Sequence, residues 1–176
     1  MANRQALREL QSRLAERLQL ARTQGVAPSW LAVEAGGNKY LFPMGQAGEI
    51  FPWVVTQAVP YTQAWFLGVA NLRGGLFGVV DLASYVTGQP LPAKTELARK
   101  ESRLIALNSA LDINCALLID KLAGLRNQEA FVDFSEKSAD APAFFGNRYI
   151  DQNGAAWQEI NLQLLAQQAH FLTIGA

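Results

Sequence analysis

Residues 66–82 read Phe66-Leu67-Gly68-Val69-Ala70-Asn71-Leu72-Arg73-Gly74-Gly75-Leu76-Phe77-Gly78-Val79-Val80-Asp81-Leu82. Two apolar runs of strand length flank an Asn-Leu-Arg-Gly-Gly break, which predicts a strand, a tight turn and a returning strand. Gly68 and Gly74 permit positive φ or a close backbone approach, and the Asn71 side chain can bond turn amides. Arg73 brings a charge into an apolar setting, and a guanidinium buried there needs a carboxylate partner. Glu49 is the only acid between Glu34 and Asp81, so the two are expected to pair.

The same rhythm extends outward in both directions. Residues 30–35, the dipeptide Gly36-Gly37 with Asn38, and residues 39–43 predict a hairpin; further runs occupy 49–55, 103–107, 114–120, 124–134, 147–151 and 155–160. A stretch rich in Pro, Thr and Lys, 88–100, divides these runs into two halves. Asn38, Leu41, Phe42, Ala47 and Gly48 match Asn114, Leu117, Leu118, Ala123 and Gly124 at a constant offset of 76. Phe66-Leu67-Gly68 returns as Phe144-Phe145-Gly146, and Val79-Val80-Asp81-Leu82 as Glu159-Ile160-Asn161-Leu162. This ordered repetition predicts a tandem duplication of a β unit of about five strands, the first copy near 29–88 and the second near 101–160. So small a unit cannot hide both faces alone; it should curl into a partly open barrel and pack against its twin, leaving a groove between them. Residues 161–170 predict a C-terminal helix, with Leu162, Leu165 and Ala169 on one side. At the other end, within 1–28, Leu7, Leu10, Leu14 and Leu18 form the stripe of an amphipathic helix laid on the main domain. That segment carries five arginines (4, 8, 13, 17, 22) against Glu9 and Glu16, a local charge of +3.

Composition narrows the chemistry. Fifteen Lys+Arg against fifteen Asp+Glu leave no cationic excess for a phosphate backbone, so nucleic acid is not an expected partner. With 50% hydrophobic and 17% charged residues, the chain is expected to fold and to keep apolar surface for partners. One His and one Cys argue against metal centres and nucleophilic triads, and no cofactor is expected. His170 has no triad partner nearby in sequence, and Cys115 lies in an apolar run that predicts an inert buried thiol. The glycines of 68–75 fit neither a P-loop nor G-x-G-x-x-G. Asp81 after Val79-Val80 suggests a phosphorylated aspartate, but the alternating helices of a receiver fold are missing. No intramolecular disulfide can form, no apolar leader is visible, and no run approaches the roughly 20 apolar residues that span a bilayer, so a cytoplasmic protein without membrane insertion is expected.

Residues 66–82 resemble the signature of the CheW-like adaptor family of bacterial chemosensory systems, G-V-x-N-L-R-G-x-x-x-P-V-x-D-L. The match runs through Gly68, Val69, Asn71, Leu72, Arg73, Gly74, Val79, Asp81 and Leu82, with Gly78 where the family commonly has proline. Glu49 is similar in position to a family glutamate. The resemblance implies a mainly β CheW-like domain over 29–176, built of two five-stranded SH3-like barrels packed together. It also implies a non-catalytic scaffold coupling the cytoplasmic tip of methyl-accepting chemoreceptors to the regulatory domain of a CheA-type histidine kinase, recruited to membrane-associated arrays. Ala47, Phe66, Gly68, Val69 and Leu76 are then the expected receptor groove, and Leu125, Phe131 and Phe134 the expected kinase contacts. Glu49, Asn71, Leu72, Arg73, Gly74 and Asp81 form the motif that supports them. The N-terminal helix with Asn147-Arg148-Tyr149 and Asn153-Gly154-Ala155-Ala156-Trp157 is similar to the PilI-like branch, which serves type IV pilus twitching systems. The alternatives are a flagellar chemotaxis adaptor, an SH3-like peptide-binding module outside chemosensing, and an enzyme using His170 or Asp81.

Overall fold

The computed structural model describes residues 30–176, so the predicted N-terminal helix lies outside the described residues. Among the described residues, eleven strands and four short helices follow one another. The first half runs β1 Trp30–Ala35, β2 Asn38–Pro43, β3 Ala47–Pro52, β4 Phe66–Leu72, β5 Gly75–Asp81 and helix α1 Leu82–Thr87. After α2 Glu96–Glu101 the second half runs β6 Arg103–Leu107, β7 Cys115–Ile119, β8 Lys121–Arg126, β9 Phe131–Ser135, β10 Phe145–Asp151, β11 Ala156–Ile160, α3 Leu162–Ala166 and α4 Ala169–Leu172. Two expected elements divide. The run 124–134 breaks at a turn over Gln128–Ala130 into β8 and β9. The C-terminal helix breaks at Gln168, whose backbone is extended. At about 100° per residue an unbroken helix would carry Phe171 to the side opposite Leu162; the break returns it to the core, stacked 6.1 Å from Trp65.

The strands form two sheets, and neither belongs to one half of the chain. The first sheet has the order β8-β1-β2-β11-β10-β9 and the second the order β3-β6-β7-β5-β4. Each central hairpin, β1-β2 or β6-β7, is flanked by strands from the other half. The pairing pattern repeats: β2 runs parallel to β11 as β7 runs parallel to β5, and β1 pairs β8 as β6 pairs β3. The expectation of two SH3-like barrels is met only in its coarser part. The fold is mainly β, its sheets have six and five strands, and among the described residues neither sheet closes into a barrel, because each hairpin pairs with the other half instead of closing on its own.

Both sheets nevertheless curl. Phe51 of β3 comes within 6.4 Å of Phe77 of β5 across two intervening strands, and Trp30 of β1 within 5.8 Å of Phe131 of β9 across three. Each sheet thereby cups a small core on its outer face, and a larger core fills the space between the sheets. Along β6, Leu104 and Ala106 enter the outer core while Ile105 and Leu107 enter the central one. Burial on both faces explains why the strands read as continuous apolar runs rather than alternating ones. Asp81 and Asn161 cap α1 and α3 equivalently, their side chains accepting from the amides of Ser84 and Leu164.

Candidate functional site

The Asn-Leu-Arg-Gly segment is a two-residue hairpin. Leu72 pairs with Gly75, and Arg73 and Gly74 between them have φ of +50° and +83°, the type I′ geometry that matches strand twist. Asn71 Oδ1 accepts from the Gly74 amide at 2.9 Å and holds the turn, while Leu72 is buried in the outer core of the second sheet. The turn throws Arg73 outward: its side chain is 77% exposed, and Nη1 meets Glu49 Oε1 at 2.6 Å. Because Glu49 sits on β3, the pair bridges strands that the sheet order keeps apart. Being exposed, it escapes the penalty of a buried charge, and exposed pairs contribute about 0–1 kcal/mol. A cleft of about 320 Å³ lies beside it, lined by Glu49, Phe51 and Phe77 together with residues 106–109, the end of β6 and the two positions after it.

The expected groove residues are all on the second sheet. Phe66, Gly68 and Val69 lie on β4, Leu76 on β5, and Ala47 on β3 at the opposite edge. Ala47 and Phe66 both pack against the margin of the central core. Val69 faces Gly78 and Asn71 faces Leu76 in the β4–β5 register, so Val69 and Leu76 share a face; Leu76 is 63% exposed. Gly68 has an internal reason for being glycine. At φ +122° its added Cβ would stand 2.1 Å from the carbonyl oxygen of Gln57, whose backbone exchanges two hydrogen bonds with Val69. Gly78, the departure from the family pattern, is likewise explained. Its amide donates to Asn114 O at 3.0 Å, which a proline could not do, and the Phe66 ring lies against it.

The expected kinase contacts are all on the first sheet, at its two edges. Leu125 on β8 is 64% exposed and Phe134 on β9 is 56% exposed, while Phe131 packs on Trp30 and Tyr149. Beneath them Trp30 Nε1 donates to Glu159 Oε1 at 3.0 Å, a tie between β1 and β11 that no local pattern announces. Asp151 organises the β10–β11 turn: its carboxylate accepts from the Trp157 indole and from the amides of Asn153 and Ala155, each at 2.9 Å. The Trp157 bond is the largest influence holding its carboxyl below the ordinary aspartate range.

The residues weighed for chemistry have structural surroundings. Asp81 caps α1 through Ser84 N at 3.1 Å. His170 is exposed on α4 with its ring stacked 5.6 Å from Tyr85. Burial pushes the Cys115 thiol up to about 12, so it stays protonated at neutral pH. Among the described residues no cluster of three His, Cys, Asp or Glu could hold a metal ion. A second cleft, about 550 Å³, opens where β2 meets β11 and is lined by Lys39, Tyr40, Phe145 and Arg148; no residue of either expected contact set lines it.

Residues 29–169 match the family model described as CheW-like domain. Protein PilI of Pseudomonas aeruginosa is 29% identical over 160 residues, an alignment covering 86% of this chain and 84% of that protein. A probable chemotaxis protein CheW of Rhizobium etli is 32% identical over 60 residues, covering 34% of this chain and 39% of that one. Among solved structures, the scaffolding protein TtCheW of Thermoanaerobacter tengcongensis superposes with a TM-score of 0.64 at 18% identity, over 82% of this chain and 96% of that one.

Proposed function

This chain belongs to the CheW-like domain family, and on that premise we propose that it couples chemoreceptors to a CheA-type histidine kinase in a system controlling type IV pili. Its role is that of a scaffold: it holds two partners in register and transmits a change in their packing, which calls for rigidity and two separate surfaces rather than a reactive group. The observation that carries the reading is the separation of the two residue sets. Phe66, Val69 and Leu76 belong to the second sheet and Leu125, Phe131 and Phe134 to the first, so two partners can be held at once. A receptor hairpin would lay its apolar face along Val69 and Leu76, beside the Glu49–Arg73 pair. The regulatory domain of the kinase would take the edges of the first sheet. Assignment to pili rests on the similarity to PilI, which spans most of both chains, against the shorter match to a chemotaxis CheW. No helix of the described residues is long and apolar enough to cross a membrane, which fits recruitment from the cytoplasm to an array.

The test is capture of a receptor cytoplasmic hairpin and of a CheA-type regulatory domain by the purified chain. Val69→Asp with Leu76→Asp should abolish receptor capture and spare the kinase domain. Leu125→Asp with Phe134→Asp should do the reverse. Capture of neither partner by the native chain overturns the reading. In cells, deletion should stop twitching and leave swimming intact; the opposite result assigns the chain to flagella.

A further inference from the structure

The cleft of about 550 Å³ where β2 meets β11 has no part in the scaffold reading, and the duplication shows what sets it apart. Extending the match of Val79 with Glu159 along both strands makes Ala156 the counterpart of Leu76 and Gln158 the counterpart of Gly78. Val69 faces Gly78 in the β4–β5 register as Arg148 faces Gln158 in the β10–β11 register, so Arg148 is the counterpart of Val69. One half thus presents Val69 and the exposed Leu76, and the other presents a guanidinium and a methyl group at the same places. We infer that the first sheet binds a small organic anion in this cleft, a phosphate or carboxylate carrying an apolar body, through Arg148.

Three neighbouring strands build the site. Arg148 of β10, Gln158 of β11 and Tyr40 of β2 lie abreast on the face of the first sheet that turns towards the central core. β2 and β11 pair only at Tyr40 with Gln158 and Leu41 with Glu159, whereas β5 and β7 pair at four positions, so the strands part where Asn38 and Ala156 line the opening. The small Ala156 leaves the space unfilled, and Phe145 with Val86 of α1 adds apolar wall. Arg148 is exposed and has no ion pair with a described residue. Lys39 also lines the cleft, but its ammonium is held by Glu34 at 2.7 Å and lies over the Trp157 ring. The nearby acids are engaged as well: Glu159 accepts from the Trp30 indole and the Asn147 amide, Asp151 accepts from the Trp157 indole, and neither lines the cleft. A free guanidinium in a cleft without carboxylates favours an anion. Size and rim select a small molecule over a protein. The volume falls within the roughly 300–1,000 Å³ of small-molecule sites, and none of the exposed large apolar residues lines the cleft, so a protein partner finds no anchor there.

The experiment titrates phenyl phosphate, phenylacetate and the uncharged 2-phenylethanol into the full chain, ¹⁵N-labelled, and follows its amide signals. Both anions should shift the amides of Asn38, Lys39, Arg148 and Ala156 and saturate by about 10 mM, as fits ligands of so few atoms. The alcohol should bind about tenfold more weakly, the loss of a charge-assisted bond. Whichever anion binds more tightly names the class of head group. Arg148→Gln, an exposed substitution that leaves the fold intact, should weaken both anions by about the same tenfold and leave the alcohol unchanged. Ala156→Leu, which installs the residue of the other half, should exclude all three probes. No saturable shift with either anion, shifts centred away from the cleft, equal binding of anion and alcohol, or indifference to Arg148→Gln overturns the inference. A hexaglutamate peptide that binds more tightly than both anions also overturns it, in favour of an acidic protein partner. Neither kinase nor receptor is present, so the result is independent of the capture experiments.

Discussion

Arg73 illustrates how a single turn decides what a charge is worth. Its pairing with Glu49 could be anticipated from sequence, since no other acid lies between Glu34 and Asp81, but its exposure could not. Exposure follows from two consecutive positive φ values that aim the side chain out of the hairpin. Arg73→Ala should therefore cost no more than about 1 kcal/mol in chemical denaturation, well below the 3–5 kcal/mol of a broken buried pair. A binding defect in that variant then reports on the surface and not on folding. Gly78→Pro, which would bring the chain to its family's usual pattern, should destabilise this protein. It removes the bond to Asn114 O, about 0.5–1.5 kcal/mol by itself, and forces a ring against Phe66 in a strand paired on both sides. A melting temperature equal to or above the native one would contradict that account. Gly68 was recognisable as a position of close approach, but its neighbour, the backbone of Gln57, was not, because residues 53–65 carry no periodicity from which a strand-like course could be read.

At the scale of elements, most strands were legible because each is a short apolar run ended by Gly, Pro, Asn or Asp. The exceptions have local causes. Residues 124–134 contain no Gly or Pro after Gly124, so the turn at Gln128–Ala130 is hidden in an apparently continuous run. The break between α3 and α4 is set by the need to bury Phe171 beside Trp65, a tertiary demand that overrides helix periodicity. The β10–β11 turn makes a test of its own. Asp151 is held ionised by the Trp157 indole and two amides, so its pKa is lower in the folded chain than in the unfolded one. The stabilisation is fully present above the unfolded value near 3.8 and is lost as pH falls through the depressed folded value. Acid titration followed by Trp157 fluorescence should show this loss below about pH 4. Asp151→Asn should remove that component of the acid sensitivity, leaving the rest of the profile in place.

For the whole molecule, sequence revealed the repetition but not its interlocking. Matched residues such as Asn38 with Asn114, or Asp81 with Asn161, are local signals. Which hairpin a strand pairs with is a long-range choice that the near-uniform apolar content of the runs leaves unmarked. The candidate surfaces were legible only through the resemblance, since exposed Leu76 and Leu125 read no differently from buried Leu104 and Leu117. Because each sheet has its centre in one half and its flanks in the other, the halves should not fold apart. Thermal and denaturant unfolding should give one transition by every probe. Fragments ending and beginning near residue 92 should be unfolded singly and should regain structure when mixed; an independently folded fragment would contradict the interlocking. The same arrangement constrains how the chain is made. As it leaves the ribosome, β3, β4 and β5 emerge without the hairpin that must separate β3 from β5, so the second sheet stays centreless until Ile119 is out and the first lacks its full set of strands until Ile160. The outer core of the second sheet can therefore close once Ile119 is out, but the central core and that of the first sheet wait for the last strands, and apolar strands made earlier stay exposed until then.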